Sequence, residues 1–284
     1  MKIDTLIDDI YRLLEGKGVT PSEEDIRAFG NKLADMLASR MLPRKDPPVL
    51  RISNLGTKCD RKLWYSINTP ELGESLDGQT RLKFLYGDIL EYLLLFLCNQ
   101  AGHRVAGEQS ELDLYGVKGH PDAFIDGRLI DVKSASSYGF QKFKSGALKL
   151  GELSADPFGY VEQINGYYHA SRDHEELTDK DAVSFLVIDK VSGELCLDTH
   201  RPKNRDYETV VRDRRRVLEG PVPDRGYPDI PDGKSGNRKL GIECSYCSFK
   251  QQCWPGLRGF AYSGKPVYLT EVAREPNVPE FKIG

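Results

Sequence analysis

The chain has 284 residues, 29% charged and 39% hydrophobic, enough for one large core or a core with a small satellite, and globular rather than disordered. No apolar run is long enough to span a membrane, and Met1-Lys2-Ile3-Asp4 lacks the basic-then-apolar order of a signal peptide, so a cytoplasmic location is expected. With a net charge of −3, overall charge does not hold the chain to nucleic acid; contact with a polyanion must come from local patches, for which Arg212 with Arg214-Arg215-Arg216, and Lys142 with Lys144 and Lys149, are the candidates.

In chain order, residues 1–41 read as two helices split near Gly16–Pro21, the second opening at Pro21-Ser22-Glu23-Glu24, and Met41–Pro48 reads as a linker. A helix starting near Asp60 carries Arg61, Trp64 and Tyr65. Residues 81–101 have apolar side chains at helical spacing up to Ala101-Gly102, interrupted by Glu91, a position that taken alone belongs to an exposed stripe. Three strands are expected over 103–134, then a loop or short helix from Ser134 to Pro157. The helix Gly159–Arg172 places Tyr160, Gln163 and Tyr167 on one face. Strands at 182–189 and 194–199 and a basic helix at 206–219 follow, and the remainder is rich in glycine and proline. This divides the chain into an N-terminal helical region with linker (1–48), a core (49–220) and a C-terminal segment (221–284).

Asp126-Gly127 lies between two apolar runs, the signal for a two-residue type I′ hairpin turn. Folding 119–126 onto 128–134 about it sets Asp122 opposite Asp131, with Lys133 on the same face. Like charges facing each other across strands repel, and the surrounding Ala123, Phe124, Ile125, Leu129, Ile130 and Val132 read as a buried sheet. A divalent cation between the carboxylates would resolve the repulsion. A solvated acidic hairpin face is the simpler alternative, and for Lys133 a plain salt bridge to Asp131.

Of the six cysteines, Cys244, Cys247 and Cys253 share a spacing that suits thiolate ligation of one metal centre. A fourth ligand must come from elsewhere, and Cys59, in a polar setting at a helix start, is the candidate. Cys98 and Cys196 sit in apolar runs and read as core residues. Spacing leaves zinc and an iron–sulfur cluster both open.

Taken together these elements resemble the PD-(D/E)XK nucleases of the RecB type, over about residues 50–255. Gly87-Asp88-Ile89-Leu90-Glu91 resembles the family's G-x3-H/E element, with Glu91 where many relatives have histidine. Gly119-His120-Pro121-Asp122 is similar to its GxxD element, Asp131-Val132-Lys133 to DxK, and Gln163-Ile164-Asn165-Gly166-Tyr167 to Q-x3-Y. The four cysteines resemble the ligands of its iron–sulfur branch, which includes CRISPR-associated RecB-like exonucleases. The resemblance implies an α/β, restriction-endonuclease-like core, a mixed central sheet flanked by helices, with N-terminal helices and a C-terminal cysteine-rich iron–sulfur segment. It implies Mg2+ or Mn2+ held by Glu91, Asp122, Asp131 and the Val132 carbonyl, and Lys133 orienting or deprotonating water with its pKa depressed by the nearby metal. It implies Gln163, Tyr167 and Tyr160 touching DNA, Arg61 and Trp64 as further strand contacts, and a structural [4Fe-4S] cluster on Cys59, Cys244, Cys247 and Cys253, zinc being the alternative. The expected function is a stand-alone DNA exonuclease, single strands preferred, with a recombination, replication or CRISPR-adaptation protein as partner and no membrane. The rivals are a non-catalytic nucleic-acid adaptor and an endonuclease or trimming subunit of a larger complex.

Overall fold

The computed structural model describes residues 2–42, 48–150 and 155–283. The linker expected over Met41–Pro48 lies largely outside them, as do residues 151–154 of the stretch expected as a loop before Pro157. The N-terminal pair is α1 (Leu6–Leu14) and α2 (Glu23–Met41), the latter capped by the Ser22 side chain, which accepts the Asp25 N–H. Then come α3 (Asp60–Asn68) and the long α4 (Gly78–Gln100). Five short strands follow: β1 (Val105–Ala106), β2 (Leu112–Leu114), β3 (Val117–Gly119), β4 (Ala123–Ile125) and β5 (Arg128–Ala135). After them lie α5 (Ser137–Lys144), α6 (Tyr160–Ala170), β6 (Val183–Asp189), β7 (Leu195–His200) and α7 (Tyr207–Glu219).

The central sheet runs β1-β4-β5-β6-β7, parallel only between β5 and β6, a mixed sheet flanked by helices. The inner strands β4 and β6 are buried on both faces, which is why they show no alternation of apolar and polar residues. One face packs Ala123, Ile125, Ile130, Val132 and Leu186 against α1 and α4. The other packs Phe124, Leu129, Phe185 and Val187 against α5, α6 and α7. Each large side chain so buried contributes roughly 1.5–3 kcal/mol.

The Asp-Gly turn forms as read: Asp126 and Gly127 both have positive φ, 49° and 84°, and Phe124 pairs with Leu129 across the hairpin. Its first arm is shorter than expected. Residues 117–119 pair instead with β2 in a separate two-stranded ribbon, because the chain bends at Pro121 between β3 and β4. The 103–134 region therefore holds five strands, not three.

The C-terminal segment departs most from expectation. It builds a second five-stranded antiparallel sheet in the order β12-β10-β11-β9-β8, from β8 (Ile230–Pro231), β9 (Arg238–Lys239), β10 (Arg258–Tyr262), β11 (Lys265–Glu271) and β12 (Glu280–Phe281). Two single-turn helices, α8 (Ile242–Ser245) and α9 (Lys250–Cys253), sit between β9 and β10.

Candidate functional site

β5 pairs with β4 only as far as Ile130, whereas its remaining residues up to Ala135 pair with β6 alone. The carboxylates gather at this step in the sheet. The Asp122 side chain takes over the ladder position that β4 vacates, its Oδ2 accepting the Val132 N–H at 2.7 Å. The observed register, continued by one residue, sets Asp122 opposite Asp131. Asp131 is buried, and its Oδ2 lies 2.5 Å from Lys133 Nζ, an ion pair in contact but outside hydrogen-bond geometry. Glu91 arrives from α4, in the opposite layer, and its Oε1 accepts from Gln109 Nε2 at 3.0 Å.

Electrostatics confirm how crowded these groups are. Burial, then the charges of Asp131 and Asp88, push Glu91 up to about 7, against the pull of Lys133 and Gln109. Asp122 is raised well above the usual carboxylate range, by burial and then by Asp131 and Glu91. Asp131 is raised by burial, with Lys133 opposing. For Lys133, burial alone would lower the ammonium, but Asp131 and Asp122 outweigh it and the net shift is upward.

The donor set suits a hard divalent cation: three carboxylates share one resident ammonium, and all three shift in the direction that added positive charge would relieve. They are not drawn in to ligating distance. Among the described residues, no three His, Cys, Asp or Glu side chains are placed to hold a metal ion.

Helix α6 presents Gln163 to the pair, Nε2 to Asp131 Oδ1 at 3.4 Å, and Tyr160, whose ring lies 5.0 Å from Lys133 Nζ. Tyr167 stands apart from them. It is buried, and burial followed by the nearby Asp131 and Asp122 charges pushes it up to about 12. A Cβ on Gly119 would come within 2.9 Å of the Tyr167 ring and 2.8 Å of Ile52, so the glycine of Gly119-His120-Pro121-Asp122 serves close packing. His120 bonds the Gln109 carbonyl, at 3.0 Å through Nδ1.

An open groove of about 940 Å3 runs beside these residues, and Glu91, Val132, Lys133 and Tyr160 line it; Asp122 and Asp131 do not. Sequence reasoning missed Gln109, which holds Glu91 from a non-regular stretch, and the groove-lining cations of α4. Most of the clustered basic residues also have partners within the chain. Arg214 pairs with Asp60 and donates to the Thr57 carbonyl, Arg215 donates to the Tyr115 carbonyl, and Arg216 meets Asp213. Lys144 pairs with Glu194 at 2.5 Å and Lys149 with Asp198 at 3.1 Å.

The four candidate cysteine ligands line one cavity of about 30 Å3, together with Lys62, Arg225, Gly226 and Trp254. Helix α3 brings Cys59 there by gripping the end of α7 and the segment after it. Trp64 Nε1 donates to the Gly220 carbonyl at 2.9 Å, Arg61 to that of Pro223 at 3.1 Å, and Asn68 to that of Leu218 at 3.1 Å. Arg61 and Trp64, expected as strand contacts, are spent on this docking. Gly226 closes over Cys59, since a Cβ there would lie 3.0 Å from its Sγ. Burial and then the neighbouring cysteines push Cys244 up to about 12, and burial first also raises Cys247 and Cys253. Four soft donors facing one cavity, beside Lys62 and Arg225, suit a thiolate-bound metal or cluster in chemistry and charge, though they do not converge as they stand. Cys98 is fully buried in the core, as read; Cys196 is only partly so.

No protein-family model matches the chain, and no curated protein does. A solved structure described as "Crystal structure of SSO0001" is similar at 17% identity, with a TM-score of 0.43, over 79% of this chain and 93% of that one.

Proposed function

We propose that the chain is a metal-dependent deoxyribonuclease of the PD-(D/E)XK kind that shortens DNA from its ends. The supporting observation is the meeting of Glu91, Asp122, Asp131 and Lys133 at the step between β4 and β5, beside an open groove. Glu91, Asp122, Asp131 and the Val132 carbonyl would hold Mg2+ or Mn2+, which would offset charge on the phosphate and acidify a water bound to it. Hydrolysis joins a water oxygen to phosphorus and breaks the bond to the leaving sugar oxygen. Lys133 would orient or deprotonate the attacking water. Gln163 bonds Asp131 and so fixes the orientation of its carboxylate. Tyr160 stands at the groove wall, next to the strand's path. Cys59, Cys244, Cys247 and Cys253 would bind a structural [4Fe-4S] cluster, with zinc the alternative.

The test is digestion of end-labelled single- and double-stranded DNA in Mg2+ or Mn2+, with Asp131→Ala and chelator as controls. Metal-dependent shortening from an end, lost in Asp131→Ala, is expected. Equal activity in the variant would overturn the assignment. A non-catalytic adaptor is the second reading, favoured by the Lys133–Asp131 contact; DNA binding without cutting in either metal would select it.

A further inference from the structure

The first half of α4 offers something the chemistry above does not use. Arg81, Phe84, Asp88 and Glu91 recur at helical spacing, so they form one stripe leading along the groove to the carboxylates. Phe84 is 58% exposed, on a helix whose C-terminal half is packed into the core. Arg81, Lys83 and Lys190 also line the groove, and none of the three forms an ion pair with a described residue, Arg81 donating only to the Leu76 carbonyl, through Nε at 3.1 Å. The contrast with Arg214, Arg216, Lys144 and Lys149 is what matters, because those cations are neutralised within the chain. In a molecule of net charge −3, cations without a carboxylate partner converge where an exposed aromatic ring and Glu91 also lie. A flat ring in water flanked by unpaired cations suits one class of ligand, a strand whose bases are unpaired. Duplex DNA keeps its base faces stacked, so a ring reaches them only at an end or at the cost of unstacking a step.

We infer that the groove is a track for single-stranded DNA, with Phe84 stacking on a base and Arg81, Lys83 and Lys190 contacting phosphates. It rests on the nuclease reading only for the strand's fate. The helical rise puts Phe84 about 10 Å from Glu91 along the axis, roughly three nucleotides of a stacked strand. Arg81, Lys83 and Phe84 therefore position the strand ahead of the bond to be cut.

Binding of a fluorescent single-stranded oligonucleotide to the full chain, in chelator so that nothing is cut, tests this. Phe84→Ala is expected to weaken binding about ten-fold. The triple variant Arg81→Gln, Lys83→Gln, Lys190→Gln is expected to reduce the slope of log affinity against log salt by about 2. Arg27→Gln, on an exposed face of α2, controls for general charge loss. The altered α4 side chains are exposed, and a thermal melt checks each variant's fold. Unchanged affinity and salt slope in both groove variants would overturn the inference, even if wild type cuts DNA. So would no binding by wild type, or tighter binding to duplex than to the single strand. Groove-dependent binding without cutting in Mg2+ or Mn2+ would uphold the track while removing the nuclease reading.

Discussion

Asp122 is stabilised by one donor and destabilised by its neighbours: the Val132 N–H holds it while burial and then Asp131 and Glu91 oppose its charge. Asp122→Asn keeps an acceptor for that N–H and removes the charge. Its thermal midpoint should rise by about 2–4 °C for each kcal/mol of repulsion relieved, while metal-dependent hydrolysis is lost. An unchanged midpoint would mean that the repulsion is already screened. Glu91 carries part of the pH dependence, Asp122 and Asp131 being raised in the same direction. Its folded pKa, about 7, lies above its ordinary 4.5, so its contribution to stability is complete below about pH 4.5 and is lost as pH rises through about 7. The loss cannot exceed about 1.4 kcal/mol per pH unit for one proton. A bound cation opposes that loss, so Mn2+ should raise the melting midpoint more at about pH 8 than at about pH 6. A metal-induced shift independent of pH would detach Glu91 from the cation.

The hairpin of β4 and β5 depends on its turn. Gly127 adopts a φ of +84°, and a Cβ there would meet the Thr178 hydroxyl at 1.9 Å. Gly127→Ala should therefore cost about 1–3 kcal/mol in urea unfolding, and wild-type stability in the variant would contradict the turn geometry. This hairpin was legible in the sequence because a two-residue turn fixes register and the alternation of faces carries it outward to Asp122, Asp131 and Lys133. The helix ends were legible for a similar reason, Ser22 being a side-chain cap. The C-terminal sheet was not, because β8, β9 and β12 are two-residue strands with no alternation to detect. The cations of the groove escaped too: the arginine run of α7 pairs with Asp60 and backbone carbonyls, whereas Arg81 and Lys190, far apart in the chain, line one groove only once the fold has formed.

Across the whole molecule, α3 ties the early part of the chain to its end through Trp64, Arg61 and Asn68, setting Cys59 against the C-terminal cysteines. Cys59→Ser should remove most bound metal, measured by iron and zinc content after anaerobic purification, and lower the melting midpoint. Full metal content in the variant would show that the ligand set closes without Cys59. The two sites differ in how far along the chain their parts lie. Asp122 and Asp131 belong to one hairpin, a unit that forms in about 1–10 μs. The cysteine set waits for Cys253. At about 5–20 residues per second of synthesis, roughly ten seconds separate the two events on a growing chain. Throughout that interval the acidic pair can already be folded, while Cys59 still lacks Gly226 and the strand of chain that will cover it.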